Sequence, residues 1–123
     1  MARKQPIRSY RDLEVWKRGV DLVELIYKLT QSFPSEEKFG LTSQLRRAAV
    51  SISSNIAEGW GRDSTKDYVR FVRIARSSLF EIETQLIIAH RLGYLSEDAL
   101  RASLQETEVE SKMLLSLIRS LRR

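Results

Sequence analysis

Cysteine is absent from the chain, which excludes a disulfide framework, thiol catalysis and any cysteine-ligated zinc or iron–sulfur centre. Reducing cytoplasm is the expected compartment. His90 is the only histidine. A catalytic triad, a histidine zinc site and the Glu-x-x-His pairs of di-metal bundles each ask for more histidines or another spacing, so His90 is read as structural, near a helix C-terminus. Neither a Gly-x-x-x-x-Gly-Lys-Ser nor a Gly-x-Gly-x-x-Gly loop occurs, and Gly59-Trp60-Gly61-Arg62 follows a helical pattern instead of a strand. No apolar run approaches the ~20 residues of a membrane span, and the N-terminus lacks the apolar stretch of a signal peptide. A soluble, non-exported, non-enzymatic protein without metal or cofactor is expected. Five glycines and two prolines are too few turn signals for a sandwich or barrel, so long helices are expected.

What the chain has is charge and helical period. Its 123 residues fit one domain, spanning 1–123, and a net charge of +5 leans toward polyanionic partners. Breaks at Phe33-Pro34, Gly59-Trp60-Gly61 and Gly93-Tyr94-Leu95 predict four helices, at about 10–32, 36–58, 64–92 and 97–122. Ser9 with Asp12 and Ser64 with Asp67 have capping-box spacing, Ser96 caps the fourth helix, and Gly59 and Gly93 are expected as helix stops, Gly59 in the left-handed conformation. Two apolar rows mark the first helix: Leu13, Trp16, Val20, Val23 and Tyr27, and Val15, Leu22, Ile26 and Leu29. The remaining core rows are Leu41, Leu45, Ala48, Ile52 and Ile56; Tyr68, Val72, Ala75, Leu79, Ile82, Leu86 and Ala89; and Leu100, Leu104, Thr107, Ser111, Leu114, Ile118 and Leu121. Short connections force successive helices antiparallel, giving an all-α, up-down-up-down four-helix bundle.

On a helical wheel Arg62, Lys66, Arg70, Arg73 and Arg76 fall within an arc of about 120° opposite the core row of the third helix, a basic stripe to which Arg46 and Arg47 are candidate additions. Farther along that helix Val69, Phe80 and Ile87, with Ile88 at the margin, make the outer face apolar, which predicts self-association through the Phe80 to Ile88 region. Trp60 beside Arg62 suits either base stacking or packing over the bundle end. Asn55 and Glu58 share a helix face, suited either to binding a ligand or supporting an RNA contact, or to a structural role in which Asn55 bonds across helices and Glu58 pairs with an arginine such as Arg62. Glu81 and Glu83 point in different directions and make no acid–base pair. Residues 44–56 also have the look of a helix-turn-helix, with Ala49 at the turn position where glycine is common.

Three segments carry a family resemblance: Ser9-Tyr10-Arg11-Asp12-Leu13-Glu14-Val15-Trp16, Gly40-Leu41-Thr42-Ser43-Gln44-Leu45-Arg46-Arg47-Ala48, and above all Ser51-Ile52-Ser53-Ser54-Asn55-Ile56-Ala57-Glu58-Gly59-Trp60-Gly61-Arg62. Over roughly residues 9 to 120 the chain resembles the bacterial four-helix-bundle proteins encoded in intervening sequences of large-subunit ribosomal RNA genes. Asn55, Glu58, Gly59 and Arg62 lie in the most specific motif. Ser53 stands where many relatives carry proline, which bears only on a local kink. The resemblance implies an antiparallel bundle assembled as a homopentamer, without enzymatic activity. It also implies similarity to accessory proteins of diversity-generating retroelements, which associate with nucleic acid and reverse transcriptase. The expected function is a non-enzymatic oligomeric module that binds nucleic acid, RNA before DNA, through Arg46, Arg47, Arg62, Lys66, Arg70, Arg73 and Arg76. A structural or adaptor bundle holding a protein partner, and a helix-turn-helix DNA binder, are the alternatives.

Overall fold

Serine hydroxyls set the helix starts that the sequence marks. Ser64 accepts the Asp67 N–H at 3.1 Å and Ser96 the Ala99 N–H at 3.1 Å, each satisfying a donor that the first helical turn leaves free. At Ser9 the full capping box forms, with Asp12 accepting the Arg8 and Ser9 N–H groups at 2.9 and 3.2 Å. It closes only a 3-10 turn, Tyr10–Asp12. Leu13 is extended, and the α-helix begins at Glu14, later than the spacing predicts.

A computed structural model describes residues 6–123 and contains α1 (Glu14–Thr30), α2 (Leu41–Trp60), α3 (Thr65–Arg91) and α4 (Glu97–Leu121). Each helix packs against its two neighbours in a cycle of α1, α2, α3 and α4, and diagonal pairs make no close backbone approach. The architecture is the antiparallel four-helix bundle. A second 3-10 turn, Ser35–Glu37, occupies the predicted start of α2. Its Glu37 accepts the Leu41 N–H at 3.2 Å and the Tyr94 hydroxyl at 3.1 Å, so one carboxylate caps α2 and ties down the α3–α4 connection. At that connection Gly93 adopts φ +83° as the helix stop, and His90 Nδ1 donates to the Leu95 carbonyl at 2.9 Å. His90 is a structural tie.

Ile26, Leu45, Ile52, Ile56, Leu79, Ile82, Leu86 and Leu114 are fully buried and belong to one apolar cluster. In α1 the core row is Val15, Leu22 and Ile26, with Gly19 between them, whereas Leu13, Trp16 and Val23 lie at its half-buried margin and Tyr27 is exposed. Val69, placed by the wheel on the outer arc, is buried. Helix α2 runs unbroken through the fully buried Ala49, which removes the helix-turn-helix reading.

Gly59 corrects another expectation. It is not left-handed and does not end its helix, which continues to Trp60. A Cβ at Gly59 would lie 2.9 Å from Phe71 Cβ and 3.2 Å from the Tyr68 carbonyl oxygen, so the residue is glycine because α3 crosses too close for a side chain. Ser51 and Ser78 hydroxyls meet at 3.0 Å across the same seam.

The junction of α1, α2 and α4 is different. Glu110 is fully buried there, and neither carboxylate oxygen has a hydrogen-bond partner among the described residues. A Cβ on Gly19 would touch Glu110 Oε2, Ile52 and Ser53, each at 3.4 Å. Burial pushes the Glu110 carboxyl up to about 8; Arg18 opposes that shift and Asp21 adds to it. Arg18 itself pairs with Glu106, one turn earlier on α4, at 3.0 Å.

Candidate nucleic-acid interface

Helix α3 turns Val72, Ala75 and Leu79 inward, all fully buried, which leaves Lys66, Arg70 and Arg73 on the opposite face. Because α4 runs antiparallel to α3, its last turns lie beside the first half of α3. Arg122 thereby joins Lys66, Arg70 and Arg73 around a groove of about 640 Å³ that also includes Val69 and Ile74. The adjoining cleft is lined by Arg73, Arg76, Arg119, Arg122 and Phe80. Six cations, from α3, the last turn of α4 and Arg122 just past its end, share this face. Lys66, Arg73, Arg119 and Arg122 form no ion pair with any described residue. Arg70 meets Asp67 at 3.7 Å, an exposed pair worth well under about 1 kcal/mol.

Other predicted residues stand elsewhere or are engaged differently. Arg62 lies in the α2–α3 connection and not on the wheel of α3, yet its guanidinium sits 4.5 Å over the Phe71 ring, which Arg70 approaches at 4.7 Å. Arg76 is half-buried, with Nε donating to the Ser111 carbonyl at 3.3 Å and hydroxyl at 3.2 Å, and it lies 5.0 Å over Phe80. Arg46 donates to the Thr30 hydroxyl at 2.9 Å and stacks 4.4 Å over Tyr27. Together with Arg47 it lines a separate cleft containing Lys38 and Phe39.

Of the motif residues, Asn55 and Gly59 are engaged in packing, whereas Glu58 is not. Asn55 donates to the Ser51 carbonyl at 2.8 Å and hydroxyl at 2.9 Å, reaching α3 only through the Ser51–Ser78 contact. Glu58 is exposed and forms no ion pair with Arg62. Trp60 packs edge-on against Tyr68, with ring centroids 6.4 Å apart, so it lies over the bundle end. Glu83 accepts the Thr107 hydroxyl at 2.7 Å, whereas Glu81 is exposed. Phe80, Ile87 and Ile88 are 46%, 39% and 43% exposed, a large apolar area for one helix face. Among the described residues no group of three or more His, Asp or Glu could hold a metal, and no helix is long and apolar enough to cross a membrane.

Sequence spacing could not place Arg119 and Arg122 on this face, because they follow Arg73 by more than forty positions. Read locally they are only cations at a helix C-terminus, where the dipole favours them. The antiparallel pairing of α3 with α4 is the signal that brings them in.

An all-helical bundle with a cationic α3–α4 face and a partly exposed apolar stretch on α3 defines the class. Within it, the chain belongs to the 23S rRNA-intervening sequence protein family, whose sequence profile matches residues 11–116. Among solved structures it is similar to a protein of unknown function from the S23 ribosomal protein family of Bacteroides thetaiotaomicron. The two are 24% identical with a TM-score of 0.79, over 85% of this chain and 95% of that one, a likeness of fold. No curated protein matches the chain.

Proposed function

We propose that the protein is a non-enzymatic, oligomeric helical module that binds RNA through the α3–α4 face. The observation that carries this reading is the set of Lys66, Arg70, Arg73, Arg119 and Arg122, brought together by two helices and almost unanswered by acids. A polyanion gains from such a surface by releasing its condensed counterions. RNA is taken as that polyanion from the family's name, which refers to 23S rRNA. Arg46 and Arg47 are a secondary contact on the other cleft. Replacing Arg70 and Arg73 by glutamate lowers affinity for a labelled RNA at least tenfold in fluorescence anisotropy; unchanged binding across a salt series overturns the assignment.

Self-association uses Phe80, Ile87 and Ile88, and the family resemblance makes a ring of five the expected assembly. Sedimentation at micromolar concentration then reports an oligomer that Phe80→Glu dissociates, and a wild-type monomer contradicts it. A second reading, an adaptor that holds a protein partner, is favoured by Phe39, which is 90% exposed beside Tyr27 and Val50. Purified protein free of nucleic-acid absorbance, together with no affinity for added RNA, selects that reading instead.

A further inference from the structure

We infer that the α3–α4 groove takes an unpaired RNA strand, with phosphates on its cationic rims and bases against its apolar floor and guanidinium planes. This rests on the RNA-binding reading and adds the form of RNA.

The groove is not uniformly polar. Lys66, Arg70, Arg73 and Arg122 are interrupted by Val69 and Ile74, and Ile74 is 39% exposed although it lies among four cations. A duplex offers its outer surface as phosphates and sugars while its bases remain stacked within, so an apolar strip between the cations gives it nothing. An unpaired strand supplies both chemistries, because its bases are free to lie on apolar and planar surfaces while its phosphates meet the cations. A planar surface stands on the groove's rim: the guanidinium of Arg70 lies 4.7 Å from the ring centre of the buried Phe71, and that of Arg62, outside the groove, lies 4.5 Å from the same ring. Stacking on that ring holds each guanidinium in place before any ligand arrives, which lowers the ordering cost of binding. From Thr65 to Ser77 the groove follows α3 for about 18 Å at 1.5 Å per residue, room for a few nucleotides of extended strand.

The test uses the full chain and three probes in fluorescence anisotropy: a labelled 20-nucleotide oligouridine, the same strand paired with oligoadenine, and poly-glutamate as unlabelled competitor. The single strand is expected to bind about tenfold more tightly than the duplex. Ile74→Ser, a change at a partly exposed position, should weaken the single strand about fivefold and leave the duplex within twofold. Equal affinity for strand and duplex, with Ile74→Ser moving neither, overturns the inference while the RNA-binding reading stands. Absence of binding to either RNA defeats that reading as well. Displacement of RNA by an equal charge concentration of poly-glutamate overturns the inference in favour of an acidic polypeptide ligand.

Discussion

The bundle treats charge in opposite ways at two places along α4. At the α1–α2–α4 junction it buries Glu110 with no hydrogen-bond partner among the described residues; on the α3–α4 face it displays Arg119 and Arg122 with no ion-pair partner among them. Water makes the difference. Inside, an ionised carboxylate loses its hydration without compensation, so Glu110 holds its proton up to about pH 8. Outside, hydration keeps the arginines charged at little cost, and a polyanion can exploit them. Charge that the fold cannot use is neutralised, whereas charge available to a partner is left in place.

The largest effect should come from removing the interior carboxyl. Glu110→Leu is expected to raise unfolding free energy at pH 9 by roughly 3 kcal/mol, since a buried ionisable group is replaced by an apolar one. The pH dependence sharpens this test. The folded-state value, about 8, lies above the ordinary 4.5, so the folded chain holds a proton that the unfolded chain has released. The stability linked to that proton is complete below pH 4.5, falls as pH rises, and is lost by about pH 8. Urea titrations should show that decline in the wild type and its absence in Glu110→Leu. Equal slopes would place Glu110 in contact with water.

The next two effects separate the two helix glycines. At Gly59 a methyl group meets Phe71 Cβ at 2.9 Å, so Gly59→Ala should destabilise by roughly 1–2 kcal/mol even after its gain in helix propensity. At Gly19 the nearest atoms stand at 3.4 Å, ordinary contact, and Gly19→Ala should stabilise by about 0.5 kcal/mol. Thermal melts that rank the pair in the reverse order would break the account of the seams. The smallest effect belongs to the surface: Arg73→Ala should change stability by less than about 0.5 kcal/mol, because Arg73 is exposed and unpaired among the described residues.

Helical period and punctuation made the fold legible, since apolar rows and the Ser64, Ser96 and Gly93 signals act locally. The errors came where tertiary contact overrides a local signal. Gly59 looked like a stop because helix-ending glycines are common, but the approach of α3 is what requires it. Ser9 and Asp12 formed their box, yet it served a 3-10 turn ahead of the helix. Glu110 stands three residues after Thr107 and four before Leu114, at core spacing, but a carboxylate at that position reads as solvated, so its burial was not legible from residue type. Of the candidate site, Lys66, Arg70 and Arg73 were readable from the wheel. Arg119 and Arg122 required the pairing of helices distant in sequence, and the hydrogen bonds of Arg46 and Arg76 could not be read from spacing.

The most direct test of the central claim is the salt dependence of binding to a single-stranded RNA. Four groove cations, Lys66, Arg70, Arg73 and Arg122, predict that log K falls against log salt with a slope of about −3, and that Arg73→Glu with Arg122→Glu flattens it by at least about 1. Binding that ignores salt, or a slope unchanged in the double variant, would contradict the assignment of this face.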